Sequence, residues 1–263
     1  MIDPSTCRTS DTVPHRRLCL AADLEQYSRL DTRAQSDAQY DLVRLLDEAA
    51  ARAGLDRSGW TRQPQGDLEL AVLPESTSET TVLGSFVDQL VFCLGALNAR
   101  PASPRLRVRL AIDTGVAAEA ALGHAGPAPV AVARFVNAPQ LKGALAALTS
   151  ANLAVIVSDR LYQDIVRGGH PGLDPAQYLR AHVQAKEFGG YGWIRVPGHG
   201  PDDMRAVTEG QEEPRPSPEQ PVTSTGSTSQ NVHRGVNVGR DVGGDVNVGL
   251  PEIPRPIGPW RAW

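Results

Sequence analysis

From residue 17 to residue 196 the chain alternates short apolar runs of strand length, bounded by turn-forming residues, with longer stretches whose apolar residues recur at helical spacing. That alternation requires a mixed α+β fold in which helices cover a sheet. Strands are expected over 17–23, 68–73, 106–112, 153–157, 178–185 and 191–196. Residues 60–63 pair with 68–73 as a hairpin across Pro64-Gln65-Gly66-Asp67. Helices are expected over 37–53, with Gly54 as its stop and Tyr40, Val43, Leu45 and Leu46 near helical spacing, and over about 79–98, ended by Pro101 and Pro104. Two more are expected over 138–148 and 160–166, the latter capped by Ser158-Asp159. On the 79–98 helix Val82, Phe86, Leu90, Phe92 and Leu97 fall on or near one face. Asp113-Thr114-Gly115 reads as a turn, followed by a loop rich in Gly and Ala.

Composition divides the rest. Residues 198–228 are dense in Pro, Gly, Ser, Thr and acids, with too little apolar surface to offset the entropy of ordering, and read as a disordered linker. Residues 1–14 read as a disordered start. A folded portion near 180 residues buries roughly 70% of its unfolded surface, enough for a full core. The net charge of −4, without a basic block, argues against nucleic acid or an anionic membrane as partner. No stretch has the roughly 20 apolar residues of a membrane helix or the look of a signal peptide. Cys19 and Cys93 lie in apolar segments, as buried thiols do, and a cytoplasmic location is expected.

Two acids stand out. Asp23 closes the run Leu18-Cys19-Leu20-Ala21-Ala22, and Asp67 follows Gln65-Gly66 and precedes Leu68-Glu69-Leu70-Ala71-Val72. Each stands where a strand meets a turn, so both can point into one cleft and share divalent metal; each can equally be a solvated turn former or a helix cap. None of the histidines falls in metal-ligand spacing and no Gly-Xaa-Ser-Xaa-Gly elbow is present, so metal and serine hydrolases have little support.

Four segments, 22–28 (Ala-Asp-Leu-Glu-Gln-Tyr-Ser), 65–71 (Gln-Gly-Asp-Leu-Glu-Leu-Ala), 107–115 (Arg-Val-Arg-Leu-Ala-Ile-Asp-Thr-Gly) and 126–134, occur in an order that resembles the class III nucleotidyl cyclase catalytic domain of actinobacterial type, over residues 15–197. The resemblance implies a ferredoxin-like, cyclase-type antiparallel sheet packed by helices. It implies that Asp23 and Asp67 hold two Mg²⁺ or Mn²⁺ ions for attack of a ribose 3′-hydroxyl on a nucleoside triphosphate, giving a 3′,5′-cyclic nucleotide. It further implies that the backbone of Leu24, Glu25, Gln26 and Tyr27 cups the phosphates and that Arg134 stabilises charge at the transferring phosphate. Lys186 is a looser match to a late catalytic lysine. The cleft of that family lies between protomers, which implies a homodimer in which Arg134 serves the partner's aspartates.

The pattern also departs from the family. Val130 stands four residues before Arg134 where the family carries a ribose-orienting asparagine, with Asn137 nearby as a substitute or a helix-start residue. Gln63 replaces a purine-reading lysine, and Leu68 a glycine. In the oxyanion-hole precedent, losing one transition-state donor slows a reaction about 10²–10³-fold.

Residues 229–250 repeat Val-Asn-Val-Gly at 236–239 and 246–249. The alternation lets valines share a face while Asn side chains ladder, and resembles short amyloid-like, RHIM-related signalling motifs of bacterial immune and cell-death pathways; a flexible Gly-rich tail is the plain alternative. A Pro/Trp segment, 251–263, ends the chain. Three readings follow: a slow cyclase in a bacterial signalling or antiphage conflict pathway, a degenerate nucleotide-binding module, and a scaffold whose tail recruits an effector by β-templating.

Overall fold

The computed structural model describes residues 13–101 and 104–208. Most of the expected N-terminal stretch 1–14, the linker 198–228 past residue 208, the repeat 229–250 and the segment 251–263 lie outside the described residues.

The strands are β1 (His15–Leu24), β2 (Thr61–Gln65), β3 (Leu68–Val72), β4 (Val108–Ala120), β5 (Gly123–Ala125), β6 (Leu153–Ser158), β7 (Leu179–Ala185) and β8 (Phe188–Arg195). They form one sheet in the order β2-β3-β1-β4-β6-β8-β7, with β5 folded back onto β4. Every pairing is antiparallel except β4 with β6, which is parallel. A parallel neighbour needs a long crossover. Two helices between β4 and β6, α4 (Pro127–Val136) and α5 (Pro139–Ala147), lie in that connection.

The run in β1 is continuously apolar because the strand is central and covered on both faces. Leu18, Leu20, Ala22 and Leu24 enter one core with Val108, Leu110 and Ile112 of β4, under α1 (Thr32–Arg52) and the long helix 79–98. Cys19 and Ala21 enter the other with Leu70, Ala111 and Ile156, under α4 and α5. Each fully buried leucine here contributes about 1.5–3 kcal/mol.

The long helix is α2 (Glu79–Thr81), a π-helical segment (Val82–Phe86) and α3 (Val87–Asn98) in succession. Contrary to expectation, Glu79–Asn98 is long and apolar enough to cross a membrane; Leu83, Phe86, Leu90 and Leu94 seat it in the core against the sheet. A short α6 (Asp159–Leu161) also runs on as π-helix (Tyr162–Val166) on the α1 side, where Tyr162 stacks on Trp193 with centroids 3.5 Å apart.

Several elements differ from the sequence expectations. Helix α1 begins earlier, at Thr32, where Asp31 accepts the Ala34 N–H at 2.8 Å as its N-cap, and its inward stripe is Ala38, Leu42, Leu45, Leu46, Ala49 and Ala50, leaving Tyr40 72% exposed. Phe92 likewise points outward, under Arg52. Asp113-Thr114-Gly115 is not a turn: β4 runs straight through it, and all three residues are buried. The Gly/Ala-rich loop contains α4, whose Pro127 and Pro129 sit in a first turn that needs no N–H donors. Past residue 197, where the linker was expected, α7 (Pro201–Thr208) forms and buries Met204 in the α4–α5 core. Its first turn is closed by the Gly200 N–H on Asp203 at 2.9 Å.

Candidate functional site

The register of the central strands decides where the acids go. Asp23 is paired with Leu68 of β3 on one side and Arg109 of β4 on the other. One residue on, the Leu24 N–H donates to the Asp67 carbonyl at 3.1 Å, and Gly66, at φ +69°, makes the tight turn that presents Asp67. The two acids therefore meet at one corner of the sheet, and the negative charge of Asp67 is among the influences that raise the pKa of Asp23. Burial is the larger cause of that rise: the Asp23 side chain is only 8% exposed.

Asp23 is already partnered. The guanidinium of Arg109 donates directly to its carboxylate, opposing the rise in pKa, and Lys142 of α5 also favours the charged form. The next acid on that face repeats the arrangement, since Arg107 donates to Glu25 at 2.6 Å. Arg107 also donates to the carbonyls of Leu145, Leu148 and Ala151, while Arg105 holds Asn152, Thr149 and Ser150. Arginines at alternate positions of one segment thus tie the end of β1 to the loop that leaves α5.

Of the four amides expected to cup phosphates, two are taken by backbone: Leu24 bonds Asp67 and Glu25 bonds Arg107, at 3.1 and 2.9 Å. The amides of Gln26, which is left-handed at φ +59°, and of Tyr27 make no backbone bond among the described residues. The Tyr27 ring packs on the α1 core and its hydroxyl accepts from Gln39 at 2.5 Å.

Of the expected catalytic cations, Lys186 is not brought to this corner within one chain. Arg134 stands half-buried in the last turn of α4. Lys186 is exposed, at φ +55° in the turn between β7 and β8. That turn lies at the other end of the sheet from Asp23, and β8 is separated from β1 by β4 and β6. Val130 lies on the outer face of α4, and Gln63 donates to the Leu122 carbonyl at 3.1 Å, holding the β4–β5 hairpin against β2.

A further cation that acts on Asp23 is Lys142, which sequence reasoning missed. Its ammonium donates to Asn137 Oδ1 at 3.0 Å, and the Asn137 amide donates to the Ala133 carbonyl at the end of α4. The available signal was a lone lysine five residues past Asn137 on the helix that Pro139 opens.

Chemically, the corner presents Asp67, a Lys142–Asn137 pair and two free amides beside a closed Asp23–Arg109 pair. Two catalytic ions sit about 3.5–4 Å apart and share free carboxylates. Here one of two carboxylates is engaged, and among the described residues no three His, Cys, Asp or Glu side chains group to hold a metal. The donor set does not fit a two-ion centre as arranged.

No family model and no curated protein matches the chain. Solved structures do. The guanylyl cyclase Cya2 superposes with a TM-score of 0.50 at 14% identity, covering 72% of this chain and 95% of that one. The adenylate/guanylate cyclase/hydrolase from Silicibacter pomeroyi superposes with a TM-score of 0.51 at 19% identity, covering 71% and 99%. At such identities the likeness establishes the fold: an α+β domain of the kind found in adenylate and guanylate cyclases.

Proposed function

We propose that the domain is a cyclase-fold module that binds a nucleoside triphosphate in a signalling protein and turns it over slowly or not at all. The observation that carries this reading is the corner of β1, β3 and β4, where Asp23, Asp67 and Lys142 converge while Asp23 is tied to Arg109. Lys142 and the Gln26 and Tyr27 amides are the donors a phosphate would meet. Arg134 would serve a partner protomer from the last turn of α4, so a homodimer belongs to the proposal. Buried free thiols at Cys19 and Cys93 suit a reducing cytoplasm. Residues 229–250 would recruit an effector in a bacterial signalling or conflict pathway.

The test incubates purified protein with each common nucleoside triphosphate and Mg²⁺ or Mn²⁺, resolves products by chromatography and measures binding by calorimetry. The expected result is saturable binding with little or no cyclic product. A charge-assisted hydrogen bond contributes about 1.5–3 kcal/mol, so Lys142→Ala weakens binding roughly 10–100-fold. Rapid cyclic product that disappears in Asp23→Ala would replace this reading with an efficient cyclase; absence of any binding would end it.

A further inference from the structure

We infer that Arg109 stands in for a divalent cation at Asp23, so that the phosphate-bearing ligand of this corner is bound without a metal ion. The inference rests on the nucleotide-binding reading for its ligand, but its claim about metal stands on the ion pair alone.

The pair is built into the sheet. Asp23 and Arg109 are direct cross-strand partners within a continuous β1–β4 ladder from His15↔Ala117 to Leu24↔Val108, so their side chains share one face. Side chains directly opposite one another in such a ladder are held within contact distance by the backbone. Both are mostly buried, Arg109 12% and Asp23 8% exposed. A metal ion entering at Asp23 must push aside a guanidinium that has little water to receive it. Removing one member of a buried pair leaves an uncompensated charge, a penalty that lowers metal affinity roughly a hundredfold or more.

The neighbouring charges do not restore a metal site. Glu25, the next acid on the same face, is held by Arg107, which is itself anchored on three carbonyls. Lys142 adds a further positive charge that acts on Asp23. Arginines and a lysine already balance the acids here, which is the electrostatic task a divalent ion performs at a phosphate site. The Arg109 Nε is buried and, among the described residues, has no hydrogen-bond partner. A guanidinium offers five N–H donors in a fixed fork suited to phosphate oxygens, of which Arg109 gives one terminal nitrogen to Asp23.

The decisive measurement is Mn²⁺ binding to the full chain without nucleotide, followed by electron paramagnetic resonance, in the wild type and in Asp23→Asn, Arg109→Gln and the Arg109→Gln/Asp23→Asn double variant. The wild type and Asp23→Asn should give the same Mn²⁺ titration. Arg109→Gln should bind Mn²⁺ roughly a hundredfold tighter, and the double variant should lose that gain. In parallel, a fluorescent ATP or GTP analogue should bind the wild type with the same affinity in EDTA as in Mn²⁺. A wild-type Mn²⁺ site that Asp23→Asn removes would overturn the inference, as would nucleotide binding that needs the metal. The comparison of wild type with Asp23→Asn keeps the test decisive should Arg109→Gln not fold. If no nucleotide binds in either buffer, the nucleotide reading fails while the Mn²⁺ titrations still decide the role of Arg109.

Discussion

Glu69 lies two residues past Asp67 on β3, and its replacement by Gln probes what holds that strand, and with it the second acid, in place. Its carboxylate accepts two bonds from Arg57, at 2.7 and 3.2 Å. Arg57 also donates to Asp47 of α1 at 2.6 Å and lies over the Trp60 ring, 5.2 Å from its centroid. The side chains of Arg57 and Glu69 are 5% and 7% exposed, that of Asp47 51%. Removing one partner of a buried pair costs about 3–5 kcal/mol. Asp47 remains bonded to Arg57, which places Glu69→Gln near the lower end, about 3 kcal/mol. Asp47→Asn disturbs a contact that water can replace, at about 0–1 kcal/mol. With a urea slope of about 2 kcal/mol/M, the midpoint falls by about 1.5 M for Glu69→Gln and by less than about 0.5 M for Asp47→Asn. Replacing both members, Arg57→Met with Glu69→Leu, removes the buried charge and recovers most of the loss. The assay is urea unfolding of the full chain, followed by tryptophan fluorescence and far-ultraviolet circular dichroism. Equal shifts for Glu69→Gln and Asp47→Asn, or a double variant as weak as Glu69→Gln, would refute the claim that an uncompensated buried charge is the cause.

Three further outcomes are expected. Gly126 opens α4 at φ +121°, and a Cβ there would lie 2.5 Å from the Val116 carbonyl oxygen, so Gly126→Ala destabilises by at least about 1–3 kcal/mol in the same urea assay. Burial raises the pKa of Asp113 more than its bonds from Ser158 and the Thr114 N–H lower it. The folded state therefore holds that proton more tightly than the unfolded chain. Its contribution is full below the ordinary carboxylate range and is lost as pH rises through the raised folded value, so Asp113→Asn gains stability relative to wild type from acid to neutral pH, read as urea midpoints against pH. Cys19 is fully buried, and burial, aided by the charge of Asp113, pushes its thiol up to about 12. At pH 8 its alkylation by iodoacetamide, read by peptide mass spectrometry, is about 10³-fold slower in native protein than in urea-unfolded protein.

Much of the fold was legible because its strongest signals are local. The apolar runs at 17–23 and 153–157 became the central strands β1 and β6, and Pro64-Gln65-Gly66-Asp67 yielded a hairpin whose turn is narrower than expected. Errors fell where a local signal was ambiguous. Two prolines concealed α4, because a first helical turn tolerates the residue that forbids later ones. Gly115 suggested a turn but instead gives close clearance, since a Cβ there would lie 2.9 Å from Arg160 and 3.2 Å from Ala128. In α7 the buried Met204 anchors a segment whose composition is that of a linker.

At the candidate site the same division holds. The sequence by itself determined that Asp23 and Asp67 lie where strands meet turns, and that basic residues alternate with apolar ones entering β4. Periodicity assigns a side chain to a face of a sheet, but it does not name the residue opposite. That neighbour is set by strand order and register, which depend on how both cores pack at once. Only the tertiary structure placed Arg109, 86 residues further along the chain, against Asp23 and brought Lys142 to the same corner. It thereby set one of the two candidate metal-binding acids against its own strand neighbour and left the other in the adjoining turn.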